Sequence, residues 1–361
     1  MTEIKERNIY LDLVKLFAAY CVIFIHVNSK VPTPKETSFL LSSILATVRF
    51  AVPFFFIVSG YFSYRIDAAK IKKRLKTTGI TLIVASLVYF LCNCFIQKCI
   101  LHLSLKKYLA ATFTYKSLAD FVFLENNPFA AHLWYVAAIF VIYLTLYLFT
   151  ALQKNPQKPR YRTLYICAAA LFVLFNFVNF NLVAINHGLN YLSYRNGMIF
   201  GFPFFTLGLF LNQYQKRIAT RLNPTALKLI IAIAACILLS GVQVKAYGRP
   251  TECPPLIGVA AALIFILCNR ASIPAKLSKL PIFQKGLIDK LYLHIYLWHL
   301  AVLLVGMTLA KTNQTLAEIT KHRVSFFIFT ALSATILSCA ITAVTYIIRQ
   351  HKTKRLQHSN H

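Results

Sequence analysis

Apolar residues gather along this chain into ten runs, over 10–28, 40–62, 77–101, 132–152, 163–183, 197–212, 226–244, 255–268, 291–309 and 324–348. Most approach the roughly 20 residues that a helix needs to cross a bilayer. The sixth and eighth runs are shorter, which implies helices longer than the apolar count, tilted helices, or broken ones covered by neighbours. The longest connection, 102–131, is amphipathic, as in Leu105-Lys106-Lys107-Tyr108 and Leu118-Ala119-Asp120-Phe121, and reads as lying on a membrane surface. No internal repeat and no separate soluble domain interrupts the pattern. It predicts an all-α, polytopic transmembrane bundle of about ten spans: an N-terminus over 1–9, a membrane domain over 10–348 and a basic tail over 349–361.

Composition strengthens that prediction. Of 361 residues 58% are hydrophobic and 14% charged, and the mean hydropathy is +0.61. Soluble domains carry about 45–50% apolar and about 25% charged residues, and disordered chains lack this many aromatics. The net charge of +29 would suggest nucleic acid in a soluble protein. Here the cations sit between apolar runs, where the positive-inside rule accounts for them, so no nucleic-acid partner is expected. Alternate connections hold 24 and 12 Lys and Arg, with Lys15, Arg49 and Lys228 left inside runs. That bias puts both termini and loop 65–76 in the cytoplasm and loop 102–131 outside. The nine cysteines lie almost all in apolar runs, as small hydrophobes rather than a disulfide or metal framework. No small-residue cleavage site follows the first run, so it reads as a retained span.

Ionisable groups inside spans are costly, so each is a candidate for function. Asp12 and Lys15 are three apart on the first run, neighbours on a helix surface, and predict an orienting ion pair. His26 lies 14 residues beyond Asp12, about 21 Å along a helix and on nearly the same face. It stands by itself near the outer end, where a histidine also serves interfacial packing. Arg49 lies deep in the second run, four residues before Pro53. Proline lacks an N–H, which frees the Arg49 carbonyl and favours a kink. A cation beside a broken ladder suggests a polar cavity, although an arginine can also snorkel to an interface.

Five blocks in order now carry a resemblance. Arg7-x4-Asp12-x2-Lys15-x10-His26 is followed by Arg49-x3-Pro53-Phe54-Phe55-Phe56-x2-Ser59-Gly60-Tyr61. Then come His132-Leu133-Trp134-Tyr135, next Tyr194-Arg195-Asn196-Gly197 leading to Gly201-Phe202-Pro203-Phe204-Phe205-x2-Gly208, and last Ile295-Tyr296-Leu297-x-His299. The chain resembles, over nearly its whole length, the acyltransferase 3 family of integral-membrane O-acyltransferases, mostly bacterial, that modify envelope glycans. It departs at Lys15, where the family often has Arg, and after Arg74, where Thr77 stands in place of the second arginine of an Arg-x-x-Arg pair.

The resemblance implies a cytoplasmic acyl donor, usually acetyl-CoA, with no permanently bound cofactor, and a sugar hydroxyl as acceptor on a glycan or lipid-linked sugar. It implies placement in the bacterial cytoplasmic membrane, among membrane lipid. It casts His26 as the base that deprotonates the hydroxyl, and Arg49 as the group that stabilises the oxyanion or holds the acceptor. Trp134, Arg195 and Asn196 become candidate acceptor contacts, although Trp134 also suits an interfacial belt. Arg74 and Lys73 become candidates to dock the phosphates of coenzyme A. Asp12, Lys15, Ser59, Gly60, Tyr61 and His299 are expected to be structural or orienting, with His299 able to assist. A transporter or flippase for a glycolipid or small metabolite is the rival reading, since buried charges and Pro-broken helices suit one equally well.

Overall fold

The computed structural model describes residues 8–32, 38–153, 161–177, 195–247, 253–270 and 287–358, and every element among them is helical. In chain order these are α1 (Ile9–Asn28), α2 (Phe39–Thr47), α3 (Ala51–Tyr61), α4 (Ala68–Phe95), α5 (Leu105–Thr112), α6 (Tyr115–Leu124), α7 (Trp134–Ala151) and α8 (Arg162–Phe177). They continue as α9 (Phe202–Arg217), α10 (Ala226–Tyr247), α11 (Pro255–Arg270), α12 (Leu287–Leu309), α13 (Gln314–Lys321) and α14 (Arg323–His358). A 3-10 turn, Val48–Phe50, joins α2 to α3, another, Ala131–Leu133, leads into α7, and a π turn, Gly197–Gly201, leads into α9. The described parts of all ten apolar runs fall on helical segments. Among the described residues seven stretches are long and apolar enough to cross a membrane, fewer than the ten runs, and α8 and α11 are shorter apolar helices. Residues 178–183 of the fifth run, together with Arg7 and Tyr194, lie outside the described residues.

Two boundaries differ from the sequence reading. The sixth run is the core of a longer helical stretch, from Gly197 through α9 to a second π turn ending at Leu222. The basic segment 65–76, read as a loop, is mostly the first turns of α4. Asp67 explains this: its carboxylate accepts the Lys70 N–H at 2.7 Å and caps a helix start, so the basic residues extend the helix outward. The break expected at Arg49 is present as the 3-10 turn that changes pitch just before Pro53.

The chain forms two compact units, Met1–Thr33 with Cys268–His361, and Pro34–Leu267. In the first, α1 packs on α12 and α14, and α12 on α14. Asn8 starts α1: its side-chain oxygen accepts the Leu11 N–H at 3.0 Å while its amide donates to the Cys268 carbonyl at 2.9 Å. In the second unit α3 packs on α9, α2 on α10, and α4 on α7. Lipid tails are as apolar as leucine, so close backbone approach, not exclusion of water, must hold such helices together. Gly60 and Gly208 supply it where α3 meets α9. A Cβ on Gly60 would fall 1.8 Å from the Phe205 carbonyl oxygen, and one on Gly208 2.1 Å from that of Ile57. Phe54, Phe56, Phe204 and Phe205 are fully buried around this crossing.

Candidate active site

In the first unit, α1 carries the two polar features that the sequence predicted, one near each end. The Lys15 ammonium stands 2.8 Å from the Asp12 carboxylate, with both side chains buried, and lies over the Tyr292 ring at 5.1 Å. This is the ion pair that the three-residue spacing requires. His26, in the last turn, is half-buried, and its isolation is corrected by the structure. Its ring lies 5.2 Å, centroid to centroid, from that of His299 on α12, tilted by 42°. The packing of α1 on α12 brings together two residues far apart in the chain.

His299 is completely buried. Its Nδ1 lies 2.7 Å from the Tyr296 carbonyl oxygen and 3.2 Å from that of Ile295. Carbonyls only accept, so Nδ1 must carry a proton and donate it. In the neutral ring Nε2 is then the lone-pair nitrogen. The helix backbone therefore fixes the tautomer of the histidine beside His26.

The second unit holds the remaining candidates. Arg49 is half-buried in the 3-10 turn. Arg195 lies over the indole of Trp134 at 5.3 Å, and Trp134 is itself buried among Phe56 and Phe200. That makes Trp134 a seat for Arg195 rather than an open platform for a sugar. The Asn196 side-chain oxygen accepts the N–H groups of Met198 and Ile199 at 3.1 and 2.8 Å, so it caps the helix that follows. Of the Ser59-Gly60-Tyr61 block, Ser59 accepts the Ser63 hydroxyl at its carbonyl, Gly60 makes the α3–α9 contact and the Tyr61 hydroxyl donates to Gln215 at 2.7 Å.

The Arg74 guanidinium turns inward, donating to Ser63 Oγ at 2.7 Å and to the Phe62 carbonyl at 2.9 Å. It secures the end of α3, whereas Lys73 is exposed.

Sequence reasoning missed Glu125. It ends α6 in the left-handed conformation, φ 58°, with its side chain buried, and its carboxylate accepts the Gly197 N–H at 2.7 Å. Burial pushes this carboxyl up to about 7, against the smaller opposing effect of the Gly197 N–H. The turn-forming Glu125-Asn126-Asn127-Pro128 was the available signal. Asn127 fixes the same turn, accepting the N–H groups of Phe129 and Ala130 and donating to Ser86 Oγ.

A comparison with protein families places this arrangement. The family model described as an acyltransferase domain matches residues 8–347, nearly the whole chain. The chain belongs to the acyltransferase 3 family. It is thus a membrane O-acyltransferase, and the transporter reading falls away. No curated protein and no solved structure matched it. For an acyltransferase 3 protein, the histidine contact between α1 and α12 is the arrangement with the clearest chemistry.

Proposed function

We propose that this acyltransferase moves an acetyl group from acetyl-CoA to a hydroxyl of an envelope glycan or lipid-linked sugar. The observation that carries the reading is His26 set against a histidine whose tautomer the backbone fixes. One ring nitrogen of His26, whose ring lies 5.2 Å from that of His299, takes the sugar hydroxyl proton as the general base. The alkoxide attacks the thioester carbonyl, and negative charge collects on its oxygen. The C–S bond then breaks, the oxygen ester forms, and the coenzyme A thiolate takes up the proton held by His26. Arg49 is assigned to the developing oxyanion or to the acceptor, the roles that the family resemblance carries.

For the donor, the supporting feature is a cavity of about 400 Å³ lined by Tyr64, Arg65, Tyr214, Lys216 and Arg217, with Asn212, Gln213 and Gln215. Arg65 and Arg217 each lie over a tyrosine ring, Tyr64 at 5.3 Å and Tyr214 at 5.8 Å. Its walls are tied in place: Tyr61 and Tyr165 donate to Gln215 and Gln213, and Asn212 donates to the Tyr61 carbonyl. Three cations and two aromatic rings suit phosphates and a nucleobase. Both segments belong to the connections that the charge count assigns to the cytoplasm, where coenzyme A is found. This cavity takes over the donor-docking role that the sequence suggested for Arg74 and Lys73. The acceptor side is assigned to Arg195, and the protein to the bacterial cytoplasmic membrane with both termini inside.

The test is direct binding of coenzyme A to the full chain in nanodiscs, with mass spectrometry of host envelope glycans with and without the gene. The combined Arg65→Ala, Lys216→Ala and Arg217→Ala variant should weaken coenzyme A binding at least tenfold. Glycans from cells with the gene should gain an acetyl-sized mass. Absence of both coenzyme A binding and any mass difference would overturn the reading.

A further inference from the structure

A second cavity, of about 590 Å³, lies in the Pro34–Leu267 unit between α4, the α5–α6 segment and α7. That volume lies within the range of small-molecule sites. Its walls are almost entirely apolar, including Leu82, Leu87, Phe121 and Phe140. Phe90, Phe113 and Phe129 pack their rings together along it, with centroids 5.2–5.9 Å apart. The polar lining groups are clustered: Asn127 donates to Ser86 at 2.6 Å, and Glu125 stands two residues before Asn127. The cavity is therefore apolar over most of its surface, with Ser86, Glu125 and Asn127 as its polar lining residues.

Two observations say what reaches it and what it adjoins. Its rim belongs to the lipid-facing surface. Only 11% of the α4 span is buried, and the lining residues Ile83, Leu87 and Val122 are 68%, 55% and 61% exposed. A span with such a face meets hydrocarbon, so entry is sideways from the bilayer. The polar cluster in turn touches the acceptor side, because the Glu125 carboxylate accepts the N–H of Gly197, two residues after Arg195.

We infer that this cavity holds the hydrocarbon chain of the acceptor, so the acylated substrate is a membrane-resident glycolipid rather than a free polysaccharide. This rests on the O-acetyltransferase reading above and narrows its acceptor. The chain lies among the leucine and phenylalanine side chains, and the sugar stands where Glu125 and Ser86 line the cavity, their carboxyl and hydroxyl groups meeting its hydroxyls. Burying the chain outside the reacting centre holds the sugar in place, converting binding energy into orientation. No bond is made or broken at this site.

The probe is a dodecyl glucoside carrying a diazirine on its alkyl chain, photolysed with the full-length protein in nanodiscs and mapped by peptide mass spectrometry. Label should concentrate on the cavity-facing positions Leu82, Phe90, Phe121 and Phe140. Ile83→Trp or Val122→Trp, both at exposed rim positions, should lower it at least fivefold while coenzyme A affinity stays unchanged. A methyl glucoside in excess should compete poorly, and unlabelled dodecyl glucoside well. Label spread equally over the exposed α4 residues Ile80, Val84 and Leu91, and indifferent to both tryptophan variants, would mean ordinary surrounding lipid and would overturn the inference. Labelling as expected in a protein that transfers no acetyl group would leave the lipid site standing and sink the enzymatic reading instead. Transfer to a soluble polysaccharide as fast as to its lipid-linked form would remove the glycolipid acceptor alone.

Discussion

Asp12, at the start of α1, and Glu125, at the end of α6, are carboxylates buried to nearly the same degree, 3% and 4% exposed. Their surroundings differ. Asp12 has a lysine ammonium 2.8 Å away, one helical turn along the same element. Glu125 accepts a backbone N–H from a residue 72 positions later and, among the described residues, has no cationic partner. A buried carboxylate held only by a neutral donor moves toward its protonated form, as Glu125 does. Local spacing settles the first case. Tertiary packing settles the second.

The largest effect expected from this contrast is at Lys15. Lys15→Ala removes the ammonium 2.8 Å from a buried carboxylate and should cost about 3–5 kcal/mol, read as a fall in the unfolding midpoint of the detergent-purified protein. A variant as stable as wild type would mean that Asp12 does not depend on this pair. Glu125 gives the next largest. Its pKa is raised in the folded state, to about 7 against 4.5, so its contribution to stability is complete below pH 4.5 and lost as pH rises through 7. Glu125→Gln keeps an oxygen for the Gly197 N–H and removes the titration. Relative to that variant, wild type should lose about 3 kcal/mol between pH 4.5 and 8. Parallel pH profiles would show that Glu125 is not shifted. The smallest effect should come from removing the whole ion pair. Asp12→Leu with Lys15→Met leaves no orphaned charge and should unfold within about 1 kcal/mol of wild type or above it. A double variant as damaged as Lys15→Ala would mean the pair itself stabilises the fold.

The same division explains what could be read in advance. The helical character of the apolar runs was legible because runs near membrane-spanning length leave the backbone few alternatives to helix. Their number did not equal the number of spans: seven stretches among the described residues are long and apolar enough to cross. The Asp12–Lys15 pair followed from helical spacing, and the break near Arg49 from the missing N–H of Pro53. The neighbour of His26 did not follow, because nothing local to α1 or α12 says which faces of the two helices meet. Arg74 could be read as basic, but its direction depends on where α3 ends, at the Phe62 carbonyl and Ser63. Glu125 was hidden in a connection read as surface, since a carboxylate beside Asn and Pro looks like an exposed turn until its Gly197 partner is seen. The family blocks supplied His26 as a candidate base, and the structure supplied its setting.

That setting makes the central claim, that His26 removes the acceptor proton beside the buried His299 ring, open to one decisive measurement. Full-length His26→Gln protein in nanodiscs would be assayed for acetyl transfer from acetyl-CoA to the lipid-linked acceptor. Binding of coenzyme A to the same sample would serve as the control for folding. Glutamine approximates the size and hydrogen bonding of histidine but cannot take and release a proton near neutral pH. Turnover should fall by about 10²–10⁴, and coenzyme A affinity should be unchanged. Turnover near that of wild type would contradict the account, because no proton would then pass through His26.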